Sequence, residues 1–304
     1  MQHLNSLSDL TADNIREILS LATDLKAKHQ AGERPALMPG RVLSMVFEKP
    51  SLRTRNSFEA AITHLGGSGI FLSSAEAGLH GREALCDIAR VLSSYCDLIV
   101  LRTFSQSLVE DFAGFSNCPV INGLTDERHP CQALTDLFTV QEVFGSLDKH
   151  LVYIGDGNNI AASLAIAAAM IDMPLTVCTP AGYELDADFV ADLNRQFPTA
   201  QIVCVNDPAA AVKTADIVYT DVWASMGQEA EADQRRGIFV PYQVNAALMS
   251  QAPAGCKFMH DLPAHRGEEV TDDVIDGPAS LAFQQAENRM HLAKGLIVWL
   301  HKNR

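Results

Sequence analysis

Apolar positions along this chain fall into two successive series of short runs separated by helical stripes. In the first half, Val42–Phe47, Ile70–Leu72, Leu98–Leu101 and Pro119–Ile121 are brief, mostly apolar runs, the pattern of strands buried on both faces. Between them lie positions at helical spacing, such as Phe58, Ala61, Ile62 and Leu65, closed by Gly66-Gly67 as a stop signal. The second half repeats the scheme, with strands expected at Leu151–Ile154, Leu175–Cys178, Ile202–Val205, Ile217–Thr220 and Lys257–Met259. Near the start, Thr11 precedes Ile15, Ile18, Leu19 and Ala22, which reads as a capped amphipathic helix. From about Glu287 to His301 the last helix is apolar on most sides, so it should be buried, wedged between the two halves and packing back on the first.

Strands alternating with helices imply parallel sheets with both faces covered. The expected fold class is therefore α/β, with two doubly wound parallel-sheet domains. A chain of 304 residues also exceeds what one core usually organises. The boundaries expected are 1–145 for the first domain, with 285–304 returning to it, and 146–284 for the second. Ligands of such sheets gather beyond the carboxyl ends of the strands. Candidate chemistry should lie there.

Charge narrows the class of partner. The net formal charge of −14 gives no bulk field to attract nucleic acid or an anionic membrane, so neither is expected as a partner. An anionic substrate would have to be caught by a local basic cluster. The seven cysteines are scattered without a CxxC pair, which argues against a disulfide framework or zinc site and for a reducing cytoplasm. The first residues lack the basic and apolar regions of a targeting segment, and the longest apolar stretch, Ile160–Ile171, is too short to cross a bilayer. A soluble cytoplasmic protein is expected.

Four segments carry candidate chemistry. In Phe47–Phe58 a strand ends, Pro50 stops it, Ser51 can cap a helix, and Arg53, Thr54 and Arg55 fall in the first turn. Arginines at a helix N-terminus oppose the dipole unless an anion sits between them and the free N–H groups, so this turn reads as a phosphate site. Arg102 follows the strand Leu98–Leu101 directly, placing a cation at the same sheet edge. In His129-Pro130-Cys131-Gln132, Pro130 suits the first helical position and His129 and Gln132 share one side, able to bond a carbonyl oxygen and an amide. Ile154-Gly155-Asp156-Gly157-Asn158-Asn159 is a strand and glycine turn, but it lacks the full GxGxxG. No acidic residue stands about 20 positions on for a ribose, so a nucleotide-binding oxidoreductase is disfavoured.

Together, Ser51-x-Arg53-Thr54-Arg55, Arg102-Thr103 and His129-Pro130-x-Gln132 resemble the carbamoyl phosphate site of the aspartate/ornithine carbamoyltransferase family. The resemblance implies that Ser51, Leu52, Arg53 and Thr54 hold the phosphate, with Arg55 either joining them or structural. It implies that Arg102, His129 and Gln132 hold the carbamoyl group. Asp221-Val-Trp-Ala-Ser225-Met226-Gly227 is similar to the loop of the ornithine members, and with an asparagine of the glycine turn it implies Asn159, Asp221, Ser225, Met226 and Leu262 at the amino-acid site. Arg289, in Ala286-Glu-Asn-Arg-Met290, would reach back to the carbamoyl end. The likeness runs through essentially the whole chain. Leu52 departs from the usual threonine, as in some members that use acylated ornithines. Asp261, in His260-Asp261-Leu262-Pro263, replaces the family's cysteine against the side-chain amine.

The reaction implied by this resemblance is attack of the neutral δ-amine of L-ornithine on carbamoyl phosphate, giving citrulline and phosphate in arginine biosynthesis, without metal or organic cofactor. Thr54, Arg102 and His129 would stabilise the oxyanion, at roughly 3–4 kcal/mol per well-placed donor. Domain closure would exclude water. Asp261 should attract an ammonium but also raise its pKa, leaving less reactive amine unless the carboxylate accepts the proton. A homotrimer is implied, with loop 73–83, including His80, reaching a neighbouring site. Two alternatives remain open: another acceptor (acylated ornithine, putrescine or lysine), and a non-catalytic paralogue that binds carbamoyl phosphate or an amino acid.

Overall fold

The computed structural model describes residues 1–303 apart from His80, Arg82 and 225–230. The chain divides into two compact units. One comprises Met1–Phe138 with Glu287–Arg304, the other Thr139–Ala286. Among the described residues, the first unit carries a parallel sheet of β1 (Val42–Phe47), β2 (Ser68–Ser73), β3 (Leu98–Arg102) and β4 (Val120–Leu124), in the order β2-β1-β3-β4. The second carries β5 (Leu151–Ile154), β6 (Leu175–Cys178), β7 (Ile202–Val205), β8 (Ile217–Thr220) and β9 (Lys257–His260), in the order β7-β6-β5-β8-β9, again all parallel. Both are doubly wound, as the alternation of runs and stripes predicts.

Each order contains one reversal of winding. In the first sheet the chain goes outward from β1 to β2, then returns to lay β3 on the other side of β1. In the second it goes outward through β6 and β7 before β8 returns beside β5. At such a reversal neighbouring connections leave in opposite directions and open a crevice at the carboxyl ends of the two central strands. The crevices fall between Phe47 and Arg102, which are paired in register, and between Ile154 and Thr220, also paired.

Local signals explain the elements that flank them. Thr11 caps the helix Ala12–Gln30 in a reciprocal box with Asn14, satisfying two otherwise orphaned N–H groups. The helix Leu52–His64 stops before Gly66, which adopts φ +87°, where a side chain would be strained. The helix Asn159–Met170 has buried side chains from Ile160 onward, because it is a run of alanine and larger apolar residues without a polar face.

The last helix runs Ala282–Lys302, starting five residues before the apolar stretch alone marked it. From Glu287 onward it belongs to the first unit. There Asn288 Oδ1 accepts from Lys26 Nζ at 2.7 Å, and Trp299 Nε1 donates to Glu17 at 2.8 Å. Gly295 lets it approach the first helix closely: a Cβ at this position would lie 2.8 Å from both Ile18 O and Ala22 N. No described helix is long and apolar enough to cross a membrane.

Candidate active site

The first unit gathers five buried polar side chains at its crevice: Thr54, Arg102, His129, Gln132 and Arg289. The chain leaves β1 through Glu48-Lys49-Pro50 and enters the helix Leu52–His64 capped by Ser51, whose Oγ accepts from Thr54 N at 3.1 Å. Thr54 Oγ1 is the meeting point. It accepts from Ser51 Oγ at 3.0 Å, Arg102 Nη1 at 3.4 Å and Arg289 Nη2 at 2.8 Å. Arg289 also donates to Gln132 Oε1, and Gln132 Nε2 donates to Asp136 Oδ1 at 2.8 Å. Two guanidinium groups converging on one neutral hydroxyl make a pocket edge suited to an anion with several oxygens.

Lys49 strengthens this exit turn, and sequence reasoning missed it. It is 5% exposed, ion-paired with Asp126, and its ammonium lies 4.3 Å from the centre of the Phe104 ring. Glu48 accepts from Phe104 N at 2.8 Å, so the ends of β1 and β3 are tied together. Arg55 points elsewhere: its guanidinium stacks 3.8 Å above Phe71 and lies 3.6 Å from Glu59. Those contacts fit its structural alternative. Leu52 is 73% exposed, so its means of reaching an anion is the backbone N–H, which has no acceptor within the first helical turn.

The second unit builds its cluster where β5, β8 and β9 end. Asn158, not Asn159, bridges the crevice: its amide donates to Asp221 Oδ2 at 2.8 Å, while its Oδ1 caps the helix by accepting from Ile160 N and Ala161 N. That capping occupies N–H groups that a pyrophosphate would need, in keeping with the rejected dinucleotide reading. Asn159 is the first helical residue and half-buried. Asp261 directly follows β9, with one carboxylate oxygen 3.5 Å from His260 Nδ1. Leu262 adopts φ +58° before a cis Leu262-Pro263 bond, and its N–H donates to His260 Nδ1 at 2.9 Å. His260 Nε2 lies 3.1 Å from the buried Glu269. Ser225 and Met226 lie outside the described residues.

Each of the two units is matched, over most of its length, by a domain model of one known family. The model for the "Aspartate/ornithine carbamoyltransferase, carbamoyl-P binding domain" covers residues 2–142, and that for the "Asp/Orn binding domain" covers 147–300. The chain belongs to the aspartate/ornithine carbamoyltransferase family. It is 51% identical to the ornithine carbamoyltransferase of Anoxybacillus flavithermus, over 97% of this chain and 95% of that one. It is 48% identical to the anabolic ornithine carbamoyltransferase of Pyrococcus furiosus, over 96% and 93%. A solved ornithine carbamoyltransferase structure from Pyrococcus furiosus superposes with a TM-score of 0.94 at 47% identity, covering 97% of this chain and 96% of that one.

In this family member the two clusters have opposite electrostatics. Burial first, and then the positive charges of Arg289, Arg102 and Arg53, hold His129 well below the usual histidine range. It is therefore neutral, able to donate one hydrogen bond without titrating near neutral pH. In the second unit burial and the neighbouring Asp261 push Asp221 well above the usual carboxylate range. Burial opposes charge on His260, but hydrogen bonding to Asp261 and Glu269 outweighs it and raises the ring to about 9. The Leu262 N–H aimed at Nδ1 pulls the other way, because a lone pair must receive it. In the neutral ring, formed above that value, the Leu262 N–H directed at Nδ1 leaves the proton on Nε2, facing Glu269.

His129 gives a stability prediction. A histidine depressed in the folded state binds fewer protons there than in the unfolded chain once pH falls below the ordinary value of 6.5. Its neutral burial therefore favours folding above that pH and turns against it in acid. The His129→Gln variant should lose less stability than the parent between about pH 6.5 and pH 5. Parallel urea curves for the two proteins over that interval would sink the assignment.

Proposed function

We propose that this protein transfers the carbamoyl group of carbamoyl phosphate to the δ-amine of L-ornithine, giving L-citrulline and phosphate. The observation that carries the reading is the buried convergence of Thr54, Arg102, His129, Gln132 and Arg289 in a member of this family. Ser51, Leu52, Arg53 and Thr54 hold the phosphate. Arg102, His129 and Thr54 face the carbonyl oxygen as negative charge develops on it, and Gln132 and Arg289 orient the carbamoyl amide. Donors fixed in place before the reaction need no reorganisation as that charge forms, which is why such a site accelerates acyl transfer.

On the acceptor side, Asp221 and Asp261 receive the δ-amine, with Asn158, Asn159, Leu262, Ser225 and Met226 around the amino acid. No metal or organic cofactor enters this scheme, because the donor is already an activated mixed anhydride. The biosynthetic direction is supported by the anabolic name of the Pyrococcus furiosus relative. A cytoplasmic homotrimer completes the proposal, with loop 73–83 near a neighbouring site. His80, in that loop, lies outside the described residues.

The test is direct. Purified protein with carbamoyl phosphate and ornithine should release phosphate and citrulline in equal amounts. Phosphate release with putrescine, lysine or an acylated ornithine, but not with ornithine, would move the acceptor assignment. Absence of product with every amine would leave a binding protein. Sedimentation of the same preparation should give a mass of three chains.

A further inference from the structure

The Gln132 side chain ends in an amide, whose oxygen only accepts hydrogen bonds and whose NH2 only donates them. A half-turn of that amide would reverse what it asks of a ligand. Two neighbours oppose the turn. Arg289 Nη1 approaches one end, and a guanidinium only donates, so that end must be Oε1. At the other end Asp136 Oδ1 lies 2.8 Å from Nε2, and a carboxylate only accepts. In the reversed amide, donor would face donor and acceptor would face acceptor. Asp136 follows Gln132 by four positions in the helix Pro130–Phe144, so the two side chains share one face. Both are 1% exposed, and a carboxylate buried that deeply is costly unless its oxygens find donors. Arg289 is itself fixed by its other terminal nitrogen, which donates to Thr54 Oγ1 at 2.8 Å. Gln132 Oε1 therefore lies against the guanidinium that reaches Thr54, and an amide oxygen has a second lone pair for a ligand.

From this geometry we infer that Asp136 is a positioning residue that sets the selectivity of the donor site. The inference rests on the carbamoyl-transfer reading and deepens it. By holding Nε2, Asp136 keeps Oε1 turned toward the acyl group of the donor substrate. An oxygen in that place accepts from N–H, so the site takes an acyl phosphate whose carbonyl carries an amino group. The methyl of acetyl phosphate brings no proton to it and leaves a buried acceptor unpaired. A carboxylate in the same place would set acceptor against acceptor. Methyl and amino groups are nearly equal in size, so the shape of the pocket cannot separate them. Hydrogen bonding must do so, and its direction depends on which way the amide faces. Asp136 touches no reacting atom in this scheme; it acts through Gln132.

Two variants separate positioning from charge. Asp136→Leu removes the acceptor at similar volume, whereas Asp136→Asn removes the charge but keeps an oxygen for Gln132 Nε2. The readout is the inhibition constant of acetyl phosphate divided by the KM for carbamoyl phosphate, both at saturating ornithine. Neither constant depends on how much of the preparation is folded, so a purely structural loss leaves their ratio unmoved. In Asp136→Leu the ratio should fall about tenfold, the scale of one hydrogen bond, through a higher KM for carbamoyl phosphate. In Asp136→Asn it should stay within about threefold of the parent. If Asp136→Leu does not fold, Asp136→Ala takes its place, a strong helix former that also lacks the acceptor. A ratio that falls equally in the asparagine variant would assign Asp136 to charge balance beside Arg289 and overturn the inference. So would a parental ratio in the leucine or alanine variant. A parent that forms no citrulline overturns the carbamoyl-transfer reading, and the inference with it.

Discussion

Replacing Arg102 with methionine should lower kcat for carbamoyl transfer about a hundred- to a thousand-fold, the loss typical of removing one preorganised oxyanion donor. Arg102 closes β3 in register with Phe47, and its guanidinium reaches Thr54 from a site that is 5% exposed. Methionine fills similar volume without charge, so the fold should persist while the field at the carbonyl oxygen weakens. A second readout comes from the neighbour. Because Arg102 is one of the charges that depress His129, its removal should let the histidine pKa rise. The Arg102→Lys variant should recover only a fraction of the rate, since one ammonium cannot reproduce a planar fork. Steady-state kinetics with saturating ornithine and an NMR titration of His129 check both parts. Near-parent kcat in the methionine variant would remove Arg102 from the chemistry.

The second large effect is expected at Gly157. A Cβ there would stand 2.5 Å from Glu184 C, 2.6 Å from Leu185 N and 2.7 Å from Glu184 O, all backbone atoms that cannot step aside. Gly157 is also tied to this same stretch, its N–H donating to Tyr183 O at 2.8 Å. The Gly157→Ala variant should therefore lose about 1–3 kcal/mol or more of stability, the usual cost of forcing a methyl into packed space. The displaced turn carries Asn158, so the KM for ornithine should rise while that for carbamoyl phosphate changes little. Gly114, in the helix Gln106–Phe115, is the control: a Cβ there meets nothing within 4 Å, and alanine should stabilise the helix slightly. Thermal melts of the two variants beside the parent decide the matter. Equal melting temperatures would mean that the 184–185 segment yields.

Much of this arrangement is visible in the sequence because it depends on local chemistry. Each strand is a short apolar run, and the donor-side residues sit where such runs end. The features that stay hidden depend on pairing at a distance or on a single torsion. Asn158 and Asn159 are identical neighbours, and only the helix boundary decides which one caps and which amide turns toward Asp221. His260 and Glu269 meet because the chain turns back through Leu262 at positive φ, a conformation the residue type does not announce. Lys49 reads as a surface charge until Asp126 and Phe104 are seen to enclose it. The early start of the last helix, Ala282–Glu287, is too polar to stand out by periodicity.

The last helix also sets a condition on how the protein is made. Arg289 reaches Thr54 across 235 positions of sequence, and the strands between β4 and the final helix all belong to the other unit. During synthesis the amino-terminal segment emerges first, yet its donor site has no Arg289 until nearly the whole polypeptide has left the ribosome. A chain cut short before residue 287 would keep the serine-arginine turn and Arg102 but lack the guanidinium that joins Thr54 to Gln132. The contacts of Arg289 with Thr54 and Gln132 are thus among the last of this cluster to form as the chain is made.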